Sequence, residues 1–450
     1  MLRSRKYPKT MSNYPKLNDQ LVQLLASPAR NELLMAIDGA VGSRPDAADI
    51  LSARKLVPMQ LVQESGVLLD IVLGTRKARR LGKAREGWWF TSQGAEQGTH
   101  PSIAAHHAQR FTGCRHVVDI CTGIGLDALA IAQVAQRVTT YESDAVTAAL
   151  AEGNLRASGI ANVAVKNQSV DTHTELPEFD GFWADPSRRR SDGSRTTSIK
   201  EYSPQLQTLD QLSKRNSDAI VGIKCGPGDT MPDAITAAYA SEFVGFKGEC
   251  RERVLWRNAG VPHILVSLPN ARKHWSPIHD AATTFVPTSG QRTDSFQSRL
   301  PNLGDILVEP HAALIASGAL GEFFREHQLV PIHEKIAYGI GQRETTDLTT
   351  IRDWMDAFEI VMVDTGVSEK RIQQHIRELA WNSRTEFKKR GWNGEPEELR
   401  AKLDFADSDK FGVVVIARTE QGHLTMFCKR LLSDEARESS LSDEAGRGSP

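Results

Sequence analysis

A chain of 450 residues exceeds what one ordinary hydrophobic core supports and predicts two or three domains. Its 40% hydrophobic and 25% charged content suits a soluble globular protein, and a formal net charge of -1 excludes an overall basic field, leaving a local basic face as the electrostatic route to nucleic acid. Five scattered cysteines, Cys114, Cys121, Cys225, Cys250 and Cys428, show no CxxC spacing, so no disulfide framework and no metal site is expected, and a reducing cytoplasm fits best.

Residues 1–18 are polar and proline-broken and read as a mobile lead-in, without the apolar core of a secretory signal. No apolar run reaches membrane-spanning length, so no membrane partner is expected. Residues 19–112 carry helical periodicity in QLVQLLASPARNELLMAIDGAV, DAADILSARK and MQLVQESGVLLDIVLGTRKARRL, which predicts a small helical domain. Within it Arg76, Lys77, Arg79, Arg80, Lys83 and Arg85 precede Trp88, Trp89 and Phe90. That stripe reads either as a nucleic-acid-facing surface or as a solvated helix end followed by core aromatics, and the second is the commoner use of a charge run. Residues 100–110 form a helix rich in histidine and alanine; His106 and His107, with no base or metal partner at a telling spacing, are expected to be exposed.

Residues 113–270 hold the most informative pattern. Val117, Val118, Asp119 and Cys121 precede two glycines one residue apart, Gly123 and Gly125, and then LDALAIAQVAQ, which predicts strand, tight turn and helix. Bare backbone at Gly123 and Gly125 lets a ligand approach where a Cβ would intrude, and the helix from Leu126 would aim free N–H groups at it. VTTYES is a second strand ending in Glu142, where a ribose would lie. AVTAALAEGNLRASGI is an amphipathic helix, NVAVKNQS a third strand, and FDGFWADPSRR a fourth that runs into Asp185-Pro186. This order predicts an α/β fold with a doubly wound, Rossmann-like parallel sheet. Gly123, Gly125 and Ala128 also satisfy the loose dinucleotide pattern GxGxxA, so glycine spacing decides nothing. Asp119 decides more: a carboxylate there accepts from an amino acid bearing an ammonium or sulfonium and would repel a pyrophosphate, which favours S-adenosylmethionine over a nicotinamide dinucleotide. DAIVGIKCGPG is a fifth strand whose Lys224 either approaches the substrate loop or sits at an edge. EFVGFKGECRERVLWRN and VPHILVSLP are expected to form an antiparallel pair closing the sheet, with Trp256 buried.

A polar linker, residues 271–301, leads to a last domain at 302–433. There VEPHAALIASGALGEFFREH offers a capped helix, followed by FEIVMVDTG (strand), VSEKRIQQHIREL (helix), TEFKKRG (strand), PEELRAKL (helix) and two strands joined at Glu420 to Gly422. This predicts a small α+β module. Lys388, Lys389, Arg390 and Trp392 suit RNA docking; an ordinary packing or dimerisation domain suits the same pattern, and the oligomeric state is not legible. Residues 434–450 read as a disordered tail.

Asp119 to Gly125, Glu142 and Asp185 to Arg188 resemble motifs of the class I S-adenosylmethionine-dependent methyltransferases. More narrowly, FTSQGAEQGTHPSIAAHHAQRF, DICTGIGLDALAIA, ADPSRRR, EYSPQL and VEPHAALIASG look like those of bacterial methyltransferases with a C-terminal THUMP-like domain, over most of the chain. The resemblance implies methyl transfer from S-adenosylmethionine and suggests an RNA substrate. It implies that Asp119, Cys121, Gly123 and Gly125 form the cofactor turn and that Glu142 takes the ribose hydroxyls. Where many relatives place an acid that meets the adenine amine, this chain has Ser169, with Asp171 two residues on; either could make that contact. Asp185 and Pro186 fall where nucleic-acid amino methyltransferases of this class carry a D/N-P-P-aromatic segment whose oxygens accept the hydrogens of an exocyclic amine. Ser187 replaces the second proline and Arg188 the aromatic; an arginine plane can stack on a base and also meet phosphate. Arg189, Arg190 and Arg195 extend this basic loop. A small-molecule methyltransferase and a non-catalytic RNA-binding protein that kept the cofactor fold are the rival readings.

Overall fold

The computed structural model describes residues 18–42, 45–188, 198–269, 282–288 and 297–431, so the lead-in, the tail, most of the linker and Arg189, Arg190 and Arg195 lie outside the described residues. The described chain divides into two compact units, one holding residues up to 247 and 251–284, the other 248–250 and those from 285 on.

The first unit is built on a nine-stranded sheet. Its strands are β1 (Val117–Ile120), β2 (Val138–Glu142), β3 (Val163–Asn167), β4 (Gly181–Ala184), β5 (Ile220–Cys225), β6 (Ala240–Phe246), β7 (Glu249–Arg257), β8 (Ile264–Leu268) and β9 (Thr283–Phe285), in the spatial order β3-β2-β1-β4-β5-β7-β6-β8-β9. β3, β2, β1, β4 and β5 run parallel, and β7 enters antiparallel beside β5. β1 and β4 are all but fully buried, as strands covered on both faces must be. From β1 the chain winds outward through β2 and β3, then returns to β4 and winds the other way. The two directions part between β1 and β4, which is where open parallel sheets bind ligands, beyond the carboxyl ends of the strands.

One expectation fails here. Residues 242–258 are not one partner of an antiparallel pair with 261–269: they split into β6 and β7, and β8 pairs parallel with β6. Lys247 and Gly248 at the split have φ of 51° and 78°. Two successive left-handed residues match the twist of a two-residue hairpin, and a Lys-Gly pair is a weaker signal for that turn than Asn-Gly. Trp256 is buried as expected.

The helices of residues 19–97 share one hydrophobic core with the sheet's own helices. Leu21, Leu25, Val67, Ile71 and Phe90 pack in a cluster that includes Leu129, Leu150 and Leu155. Arg30, 1% exposed, donates to the carbonyls of Leu25 and Leu150 and to Asn154 Oδ1 at 3.0, 3.2 and 3.0 Å. Cations of the basic stripe have partners within the fold. Arg76 pairs with Asp38 at 2.5 Å, Lys77 with Glu96 at 2.6 Å, and Lys83 donates to the carbonyls of Ala95 and Glu96, while Trp88, Trp89 and Phe90 are core.

The second unit holds a seven-stranded sheet of β10 (Ile306–Pro310), β11 (Val330–His333), β12 (Ile336–Gly341), β13 (Met355–Thr365), β14 (Glu386–Arg390), β15 (Val413–Thr419) and β16 (Gly422–Arg430), ordered β11-β12-β10-β13-β16-β15-β14. Helices Glu369–Glu378 and Pro396–Arg400 share a core with Val414, Ile416 and Phe427. The β11–β12 hairpin was not anticipated. Its turn, Glu334-Lys335, carries none of the Asn, Gly or Pro residues that announce one. The cations singled out for RNA docking are paired: Lys388 and Arg390 with Glu309 at 2.5 and 3.1 Å, and Lys389 with Glu395 at 2.9 Å.

Candidate active site

Asp119 lies opposite Thr140 in the β1–β2 register, and Glu142 is two residues further along β2, so strand alternation puts Asp119, Thr140 and Glu142 on one face. Asp119, 1% exposed, accepts from the hydroxyls of Thr140 and Thr122 at 2.7 and 3.2 Å. The chain then bends sharply: Cys121, Gly123 and Gly125 have φ of 68°, 56° and 94°. Glycine takes that region freely, whereas Cys121 holds it at a steric cost. The bend is tied to β2 through Glu142, whose two oxygens accept from the N–H groups of Gly123 and Asp144, each at 3.0 Å. A Cβ on Gly123 would meet nothing within 4 Å, so the inner lip of the turn faces open space. On Gly125 a Cβ would face Ala151 and Leu155 at 3.6 Å; its positive φ, not room for a ligand, is what calls for glycine there.

β3 ends at Asn167, short of the strand expected through Ser169, and Asp171 lies beyond it. Both are exposed, and Asp171 closes a local turn by accepting from the His173 N–H at 2.9 Å and the Thr174 hydroxyl at 3.1 Å. Those bonds, the His173 amide first, hold its carboxyl below the ordinary range.

Beyond β4, the Asp185 N–H donates to the Ile120 carbonyl at 3.0 Å, which carries the Asp185–Arg188 segment alongside the cofactor turn. Pro186 is buried and Arg188 half-buried. Ser187 and Ser203 exchange backbone bonds at 2.9 and 3.1 Å, and the Cys121 thiol lies 3.9 Å from the Ser203 carbonyl. Asp119, Cys121, Gly123, Gly125, Glu142, Asp185 and Arg188 are thus gathered along one edge of the sheet.

Lys224, the β5 residue left open by the sequence, is a buried hub. Its ammonium lies 2.7 Å from Asp185 Oδ2, 2.7 Å from the Thr99 hydroxyl, 3.3 Å from Glu252 Oε2 and 3.6 Å from Asp127 Oδ2. Burial alone would depress its pKa; Asp185, Glu252 and Asp127 overturn that and raise it. His106 and His107 correct the expectation of exposed helix residues. His107 is 1% exposed and sits 2.9 Å from Glu252, and His106 lies 2.7 Å from the fully buried Glu242. Both carboxyls are buried, which by itself raises their pKa, yet the groups that face them, Lys224 and His107 for Glu252 and His106 for Glu242, bring each down to about 2. Their partners come from strands more than a hundred residues away, so spacing along the chain could not announce them. Thr99, Asp127 and Glu252 were missed because Lys224, which gathers them, lies on another element of the fold.

No family model matches the chain. Two uncharacterised S-adenosylmethionine-dependent methyltransferases, one from each of two strains of Mycobacterium tuberculosis, are 26% identical to it over 351 residues, 76% of this chain and 89% of theirs. The chain is an S-adenosylmethionine-dependent methyltransferase. A crystal structure from Porphyromonas gingivalis W83, assigned as a methyltransferase, superposes with a TM-score of 0.64 at 15% identity, covering 92% of this chain and 99% of that one; the fold is shared.

The methyltransferase's own residues fit the cofactor. Burial, with the like charges of Asp127 and Asp185 nearby, pushes the Asp119 carboxyl up to about 7, the condition of an acid with no ion-pair partner among the described residues. S-adenosylmethionine brings a sulfonium and an ammonium. Its binding should favour the ionised acid, so affinity is expected to rise about tenfold per pH unit from about pH 5.5 to 7, with a proton released on binding. Isothermal titration in buffers of different ionisation heat measures both, and a pH-independent affinity would detach Asp119 from the cofactor's charge. In the cofactor-free chain the sign is opposite. The folded pKa lies above the ordinary 3.8, so this group's contribution to stability is present at low pH and lost as pH rises through about 7.

Proposed function

We propose that this methyltransferase modifies structured RNA, moving a methyl group to a base amine or a ribose oxygen. The observation that carries the reading is the tether of Asp185 to Ile120, which sets an Asp-Pro-Ser-Arg segment beside the cofactor turn at the carboxyl edge of the sheet. In this assignment Asp119 meets the amino-acid end of the cofactor, Cys121 to Gly125 bend around it, and Glu142 accepts from the ribose hydroxyls. Ser169 or Asp171 meets the adenine amine. Asp185 and the Pro186 segment receive the acceptor and Arg188 stacks on it or meets phosphate. Chemistry then rests on alignment of nucleophile, methyl and sulfur, since a sulfonium is already an activated donor. The second unit is assigned as a THUMP-like module serving the same RNA, in a cytoplasmic enzyme.

Incubation with S-adenosylmethionine carrying a tritiated methyl group, total RNA and a deproteinised small-molecule extract tests the substrate class. Label is expected in RNA, with retention on RNA weakening steeply as salt rises. Label confined to small molecules would contradict the reading.

A further inference from the structure

The buried hub behind Asp185 has no task in methyl transfer as described above, and its geometry is specific. Asp185 offers two carboxylate oxygens. Oδ2 is taken by Lys224 at 2.7 Å, whereas among the described residues Oδ1 accepts no hydrogen bond, and the side chain keeps 30% of its surface exposed. Lys224 cannot swing away, because Thr99 accepts from it at 2.7 Å while Glu252 and Asp127 hold it from β7 and from the helix Leu126–Ala132. Thr99 is itself fixed by donating to Asp127 Oδ2 at 2.6 Å, and Glu252 is backed by His107 at 2.9 Å. A lysine 6% exposed amid three carboxylates is costly to assemble and gives little net stability; what the arrangement does fix is the orientation of what the lysine touches.

We propose that Lys224 is a positioning residue: clamped by Thr99, Asp127 and Glu252, it pins Asp185 Oδ2 and keeps the carboxylate charged, so that Oδ1 faces the methyl acceptor. The role of Asp185 toward the acceptor rests on the function proposed above; the coupling of Lys224 to Asp185 does not. The titratable groups that interact with Asp185 are Lys224 and Cys225 on β5, Asp127 on its helix, Glu252 on β7, Asp119 on β1 and Cys121 in the turn, with His107 behind Glu252. Burial raises the Asp185 pKa first, Lys224 lowers it, and Asp127 and Glu252 raise it again.

Two substitutions therefore act with opposite signs. Lys224→Met removes the cation and should raise the Asp185 pKa. Glu252→Gln keeps the shape, removes a competing anion and should lower it. Carbon-13 titration of aspartate carboxyls in the chain bound to S-adenosylhomocysteine reads both, the Asp185 signal being assigned by its loss in Asp185→Asn. Alongside it, methyl transfer to RNA at saturating cofactor should fall at least tenfold in Lys224→Met, with its acid limb moved up in pH. The double variant Lys224→Met/Asp185→Asn should be no slower than Asp185→Asn alone. If Lys224→Met does not fold, Glu252→Gln still carries the signed test. An Asp185 titration that Glu252→Gln leaves in place or moves upward would overturn the coupling. So would transfer losses that simply multiply in the double variant. Opposed shifts with full transfer by Asp185→Asn would leave the coupling standing and overturn the acceptor role of Asp185.

Discussion

Glu142→Ala is expected to weaken S-adenosylmethionine binding by about a hundredfold or more. In the proposed assignment the carboxylate accepts from both ribose hydroxyls, and hydrogen bonds to a charged group contribute about 1.5–3 kcal/mol each, so losing two corresponds to at least that factor. Glu142 also holds the turn, through the Gly123 and Asp144 amides. Its removal frees a bend in which Cys121 already sits at a positive φ. The two contributions separate by experiment. Thermal unfolding of the cofactor-free chain reports the loss of the brace, and isothermal titration with S-adenosylmethionine reports the sum. Affinity within threefold of the parent chain would remove Glu142 from the cofactor site.

Asp185→Asn is expected to lower the rate of methyl transfer at least a hundredfold while S-adenosylmethionine affinity stays within about threefold. A carboxylate oxygen that accepts from an acceptor amine localises the nitrogen lone pair against the methyl group, and an amide is a weaker, uncharged acceptor that can present its NH2 group instead. The substitution should leave the fold intact, since Lys224 keeps Glu252, Asp127 and Thr99 as partners. Single-turnover transfer of a tritiated methyl group, with titration of the cofactor on the same preparation, separates chemistry from binding. A fall in cofactor affinity that accounts for the whole loss of rate would move Asp185 from the acceptor to the cofactor.

The parallel half of the sheet was legible because its signals are local. Val117–Ile120 and Val138–Glu142 are short apolar runs closed by a glycine bend or an acid, and each is answered by a helix of the right period. The antiparallel edge was less so, since Lys247-Gly248 makes a hairpin without the usual residues and β8 then joins β6 in parallel. At the candidate site, Asp119, Glu142 and Asp185 stand out in the sequence because each falls at or next to the carboxyl end of a strand. Lys224 could be placed but not understood. Its partners Thr99, Asp127 and Glu252 come from three other elements, and only the folded chain brings a threonine before one helix against a glutamate on β7. His106 and His107 show the same limit: a histidine pair on a short helix looks solvated until the strand bearing Glu242 or Glu252 is laid beside it. Conversely, the basic runs at Arg76 and Lys388 drew attention by composition and turned out to be paired with Asp38 and Glu309. Charge in a run says nothing about whether its counter-ions are already in place.

The most direct test is a crystal structure of the chain with S-adenosylhomocysteine bound. Ligand density is expected along the edge between β1 and β2, with the ribose hydroxyls within hydrogen-bond distance of Glu142, the amino-acid end toward Asp119, and the sulfur turned toward Asp185. Density at the opposite, amino-terminal edge of the strands, in the cleft of about 520 Å³ lined by Arg115, Arg137 and Arg215, would contradict this placement.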